Sequence, residues 1–230
     1  MPMKKLDHIL LIIIWSVASI PAFSQEGGGS IEAWFDNQVG FENSGLLNGH
    51  EYLFPFRGAN SHPFFFAEGV SKGFVNYNGQ WYRDIFLMYD LFSNQLILRH
   101  QTNEGQTKLM CFDAKELKSF SLFGHNFTKI NDHFYDVLFA GKDWNFLVER
   151  KKITQVITGR VEFEEQKAFY IQDQNGIKEY RGKESLQIMC PDPREFQNYL
   201  KQSKIKLGRK KEDDLVAVCS FIEKSRQQPK

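Results

Sequence analysis

Outside its N-terminal segment the chain carries His50, His62, His100, His125 and His133, and none lies within five residues of another. A metal site built on one strand or helix needs ligands at closer spacing than that. No metal centre and no cofactor site is therefore expected. His50 beside Glu51, and Asp132 beside His133, are isolated neighbours that suit turns and surfaces. A serine hydrolase of the elbow type needs G-x-S-x-G, and the chain has none. Glu164 and Glu165 are adjacent, and on a strand adjacent side chains point to opposite faces. They would not share a substrate. Asp213 and Asp214 suit the first turn of a helix, where the dipole favours acids. No catalytic residue is assigned. Acids drawn from separate strands could still make a glycan- or peptide-directed hydrolase, because glycosidase carboxylates need not be close in sequence. That is the alternative to a non-catalytic binding or structural module.

Binding chemistry is better represented. Arg57, Ser61 and His62 lie among Phe54, Phe56, Phe64, Phe65 and Phe66, in a segment that reads as a loop. It could form a binding mouth with aromatic walls, or simply fold over one end of a sheet. Tyr77, Trp81, Tyr82, Phe86 and Tyr89 crowd a second segment. Strand alternation would divide them between core and surface. The candidate binding residues are Arg57, His62, Phe64, Trp81 and Tyr82. Cys111, Cys190 and Cys219 are an odd number of thiols. Buried free thiols are the ordinary reading, and Cys190 with Cys219 could form a disulfide.

The elements that must carry these groups read as mainly β. Aromatic residues make up 15% of the chain, with 22 Phe, and alternating segments are divided by turn signals. Phe74–Tyr77 and Gln80–Tyr82 flank Asn78-Gly79, a strong hairpin signal because both positions tolerate positive φ. From Asp84 to Tyr89 both alternating faces are apolar, as in a strand covered on both sides. Further strands are expected at 95–99, 108–112, 117–122, 127–130, 134–139 and 144–152. A late hairpin is expected at 167–172 and 176–180. The period then changes. Asp192, Pro193 and Glu195 combine an N-cap, a first-turn proline and a capping acid, so a helix should run to Lys204. Residues 205–207 read as short and extended. A second helix should begin near Glu212, with Leu215, Val218, Cys219 and Ile222 on its buried stripe. The fold class is α+β: an antiparallel meander, sandwich or partial barrel over 31–190, and two C-terminal helices over 191–230 packed on it.

The N-terminus bounds compartment and charge. Lys4 and Lys5 precede an apolar run of about 12 residues, short of the roughly 20 that span a bilayer. Pro21 breaks the run, and Ala22-Phe-Ser24 suits a signal peptidase. Residues 1–24 read as a cleavable signal peptide and 25–30 as a flexible leader. A periplasmic or secreted location is expected, with no membrane span after cleavage. The signal takes Lys4, Lys5 and Asp7 from totals of 29 basic and 28 acidic residues, so the mature charge is near zero. Nucleic acid is disfavoured as a partner. From Arg194 to Lys230 there are 10 basic and 5 acidic residues, so a C-terminal face including Lys210 and Lys211 could meet an acidic partner.

One wider pattern stands out. Gly73, Val75, Tyr77, Gly79, Tyr82, Ile85, Leu87, Tyr89, Asp90 and Leu96 form its centre. Leu47, Gly49, Glu51, Tyr52, Ser61, Pro63 and Phe64 precede it. Phe134 to Leu138, Gly141, Lys142, Lys183, Ser185, Leu186, Tyr199 to Lys201 and Lys204 to Leu207 follow. This series resembles uncharacterised secreted proteins of Bacteroidota. The resemblance implies the envelope of a diderm bacterium, and it carries no catalytic signature. Another envelope protein or a glycan is the partner to expect.

Overall fold

The computed structural model describes residues 45–47, 49–56, 58–102, 104–209 and 211–227. The expected signal peptide, the leader and Arg57 lie outside the described residues. The strands are β1 (His50–Glu51), β2 (Ser71–Tyr77), β3 (Gln80–Asp90), β4 (Gln95–Gln101), β5 (Thr107–Cys111) and β6 (Leu117–Leu122). They continue as β7 (His125–Ile130), β8 (His133–Ala140), β9 (Trp144–Ile157), β10 (Arg160–Asp173) and β11 (Gly176–Glu179). Three helices follow: α1 (Lys183–Gln187), α2 (Pro193–Gln202) and α3 (Glu212–Gln227). Among the described residues one antiparallel sheet holds all eleven strands, in the order β1-β5-β4-β3-β2-β6-β7-β8-β9-β10-β11. The fold is mainly β, with helices at the C-terminal end, as the sequence predicts.

Turn chemistry drives the meander. Asn78-Gly79, Phe123-Gly124, Asn131-Asp132 and Thr158-Gly159 each place two successive residues at positive φ. That twist matches the strands it joins. β3 carries a bulge: Gly73 of β2 pairs with Ile85, but Val75 pairs with Tyr82, and Asp84 sits at φ 56°. β2 needs glycine there, because a Cβ at Gly73 would lie 1.8 Å from the Ser121 carbonyl oxygen of β6.

The sheet is strongly curled. Tyr89 on β3 and Phe134 on β8 are four strand positions apart, about 19 Å in a flat sheet. Their ring centroids are 6.2 Å apart. Phe120 stacks on Phe127 at 4.7 Å and meets Tyr89 and Phe134 edge-on. The amide of Lys152 on β9 donates to the Leu91 carbonyl beyond β3, at 3.2 Å. β9 thus returns to β3, and β3-β2-β6-β7-β8-β9 form the wall of a partial barrel filled with aromatic rings. The last turn of β3 is buried on both faces, as its sequence suggests. Leu87 and Tyr89 enter this interior, while Met88 packs outside with Ile97, Cys111, Tyr52 and Phe64.

A second core lies under the helices. Trp144, Phe146, Val148, Phe169 and Ile171 meet Leu186, Phe196, Leu200, Leu215, Val218, Cys219 and Ile222. Asp192 caps α2 by accepting from the Arg194 amide at 2.7 Å, with Pro193 at the first helical position. The stripe predicted for α3 is fully buried. Three features differ from the sequence reading. β9 runs five residues past Lys152 into a hairpin with β10, α1 is an added helical turn, and Leu207–Arg209 forms a 3-10 turn rather than an extended one. The disulfide open to Cys190 and Cys219 is not made. Both are buried free thiols, with Cys190 Sγ donating to the Asp192 carbonyl at 3.4 Å. Burial raises both thiols, which makes them packing groups rather than nucleophiles. Among the described residues no helix is long and apolar enough to cross a membrane.

Candidate functional site

The candidate binding residues separate into two places. Trp81 and Tyr82 stand near the start of β3, and Phe64 forms a bridge with Asp90 at its end. Trp81 and Asp90 are nine residue steps apart along β3, about 30 Å. Trp81 is exposed against Phe74, at 5.4 Å between centroids. Tyr82 is buried, and its hydroxyl donates to Gln80 Oε1 at 2.6 Å. His62 and Phe64 do meet: their rings stack at 6.0 Å and 19°. Burial, and then the nearby Lys152 ammonium, hold the His62 ring below its ordinary pKa.

The segment around His62 is fastened on several sides. Tyr52 OH donates to Asp90 Oδ2 at 2.8 Å, and the Leu91 amide donates to the Pro63 carbonyl. Lys152 Nζ donates to the carbonyls of His62 and Phe64, at 2.7 and 2.9 Å. The Asn60 amide reaches the Val161 carbonyl, and the Phe163 amide reaches Ser61 Oγ. The other oxygen of Asp90 accepts from the amides of Phe92 and Ser93. This turn fixes Phe92 beside the segment.

The result is an aromatic surface at the seam of the sheet. Phe56 meets Phe92 and Phe163 edge-on, each at 5.2 Å, and Phe92 meets Phe163 at 5.6 Å. Phe54 contacts Phe56 and Phe64. Phe54 and Phe92 remain 38% and 40% exposed, so this cluster is open on one side. Phe64 and Phe65 instead plug the cores on either side of the sheet, and Phe66 is exposed beside Phe123 and His125. The inner rings pack into the cores, and the outer rings of Phe54 and Phe92 stay partly exposed. Phe92 and Phe163 were not legible as members. Phe163 stands as a lone ring among Glu162, Glu164 and Glu165, where its alternation was the available signal.

Charged groups converge elsewhere, around Arg150 on β9. Arg150 Nη2 lies 2.7 Å from both Asp136 Oδ2 of β8 and Glu212 Oε2 of α3. Its Nη1 reaches Glu212 Oε1 at 2.9 Å and Glu165 Oε1 of β10 at 3.2 Å. His125 Nδ1 lies 2.8 Å from Asp136 Oδ2, and Lys167 bonds Glu212 at 2.8 Å. The guanidinium stands over the Phe65 ring at 5.4 Å. Glu164, as its strand position predicts, points away and is exposed. Acids from three elements do gather here, but on one guanidinium with 3% side-chain exposure. Such an ion-paired cluster ties α3 to the barrel wall. Among the described residues no group of three or more His, Cys, Asp or Glu is placed to hold a metal ion.

Glu212 has a measurable consequence. Burial would raise its carboxyl, but hydrogen bonds from Arg150 and Lys167 outweigh burial and bring it down to about 2, from 4.5. A depressed carboxyl stabilises the fold above its unfolded value. That stabilisation, on the order of 3 kcal/mol, fades as pH falls from about 4.5 to about 2. In urea unfolding at a series of pH values, Glu212→Gln should be weaker than the native chain at pH 7. The two curves should converge toward pH 2. A constant difference would remove Glu212 as the titrating group.

No family model, curated protein or solved structure matches the chain.

Proposed function

We propose that the chain is an exported envelope protein acting as a non-catalytic binding module. Its partner is another envelope protein, or a glycan, held against the aromatic surface of Phe54, Phe56 and Phe92. The observation that carries this reading is the edge-on cluster of Phe56, Phe92 and Phe163 with Phe54 and Phe92 left open. Aromatic side chains are enriched at interface centres, where they supply area at low entropy. The segment that presents them is bonded to β3, β9 and β10, so little ordering remains to be done on binding. The hydrolase reading has less support, because Asp136, Glu165 and Glu212 are engaged by Arg150.

The export part is tested by fractionation and N-terminal sequencing: the mature chain should begin after Ser24 in the periplasm or medium. The binding part is tested by capture from envelope extract with the tagged mature chain and with Phe54→Ser/Phe92→Ser. Species retained by the native chain should be lost from the variant, with the melting temperature little changed. Identical capture by both, or no specific capture by either, overturns the aromatic surface as the binding site.

A further inference from the structure

A groove of about 570 Å3 opens on the helical end of the protein. Lys183 of α1, Leu200 and Lys201 of α2, and Lys204, Ile205 and Lys206 beyond α2 line it. Four ammonium groups therefore surround one recess, and none of the residues that line it is acidic. Lys183 donates to Gln197 Oε1 at 2.5 Å. Lys201, Lys204 and Lys206 are exposed, and none forms an ion pair among the described residues. Elsewhere on this protein Arg150 holds three carboxylates and Lys167 holds two. The groove is thus a local excess of positive charge on a chain whose total is +1.

Its backbone is set by the end of α2. The Lys204 amide bonds the Lys201 carbonyl and the Ile205 amide bonds the Leu200 carbonyl. Lys204 takes φ 54°, a conformation that glycine adopts without strain. This turn brings Ile205 back against Leu200, so apolar carbon lies between the lysines.

We infer that this groove docks an acidic, extended peptide segment of a partner protein, with an apolar side chain of that segment seated against Leu200 and Ile205. Charge complementarity selects the acidic class. The apolar lining selects against a bare polyanion. The recess also selects against a bilayer, since a planar surface meets protruding faces and this one is hollow. Its volume falls within the roughly 300–1,000 Å3 of ordinary ligand sites. The groove uses other elements than the aromatic surface, so the inference stands or falls independently of it.

The probe is a fluorescent peptide of alternating Glu and Leu, titrated by anisotropy against the purified full chain. Controls are the same peptide with Ser in place of Leu, and phosphatidylglycerol vesicles in a sedimentation assay. The variant is Lys201→Glu/Lys204→Glu/Lys206→Glu. Its positions are exposed, and circular dichroism checks its fold. The Glu-Leu peptide should bind, should weaken with added salt, and should lose at least about tenfold in affinity in the variant. A second variant, Lys201→Gln/Lys204→Gln/Lys206→Gln, should also lose affinity if the triple reversal fails to fold. Unchanged affinity in whichever variant folds overturns the inference. So does equal binding of the Ser peptide, or binding to vesicles with none to peptide.

Discussion

Arg150→Met should destabilise the protein by about 3–5 kcal/mol, the range for removing one partner of a buried ion pair. The substitution keeps an apolar stem of similar length, so lost packing is a small part of the effect. The large part falls on Asp136, whose side chain is 1% exposed and whose Oδ2 takes both the guanidinium and His125. Its Oδ1 has no hydrogen-bond partner among the described residues. Without Arg150, His125 is its remaining partner among the described residues, and the carboxylate is left as a poorly compensated charge. Glu212 suffers less, since Lys167 still holds it. Arg150→Met/Asp136→Asn should therefore recover much of the loss, because the stranded charge is removed with its partner. Urea unfolding of the native chain, both single variants and the double variant would give the coupling. Additive losses, or an Arg150→Met change within 1 kcal/mol of native, would falsify the hub. The same measurement bears on the hydrolase alternative, since a cluster held for stability leaves a large signature here.

Phe120→Ala should lower stability by about as much, 3–5 kcal/mol, through the cavity it opens. Its ring is fully buried and meets rings from β3, β7 and β8. Those strands face one another only because the sheet curls, so Phe120 fills the space that curling creates. An exposed aromatic on the same sheet offers the contrast. Trp81→Ala, at 54% exposure, should change stability by roughly 0.5 kcal/mol or less. Equal losses from the two would mean that the aromatic interior does not hold the barrel closed. A changed urea dependence in Phe120→Ala, rather than a shifted midpoint alone, would report a looser native state.

How far the sequence could be read differs from element to element. The Asn78-Gly79 hairpin and the Asp192-Pro193 helix start were legible, because each depends on the conformational limits of two or three adjacent residues. The α3 stripe of Leu215, Val218, Cys219 and Ile222 was legible from period alone. The extension of β9 and β10 was not. Ile153, Val156 and Ile157 of β9 are exposed, so the inside-outside alternation that marks a strand is lacking there, and in the first part of β10 it is confined to Val161 and Phe163 before Glu164 and Glu165 interrupt it. Thr158-Gly159 is also a weak hairpin signal, because threonine resists positive φ.

The candidate site shows the same division. Sequence spacing gathered Phe54, Phe56, His62 and Phe64 into one segment, and the structure keeps them together. It could not add Phe92 and Phe163, or remove Trp81 and Tyr82, since strand pairing decides those distances. Arg150 gave no local sign of its role. Its partners lie 14, 15 and 62 residues away.

What the sequence by itself determined, then, is local: turn positions, helix caps, alternating faces, a near-zero charge and hence a β-rich body closed by helices. Tertiary structure alone decided the curl of the sheet, the hub at Arg150, the open side of the aromatic surface and the lysine-lined groove. Each of those depends on side chains meeting across strands or helices that are distant in the chain, where backbone geometry and packing, rather than residue type, set the distance.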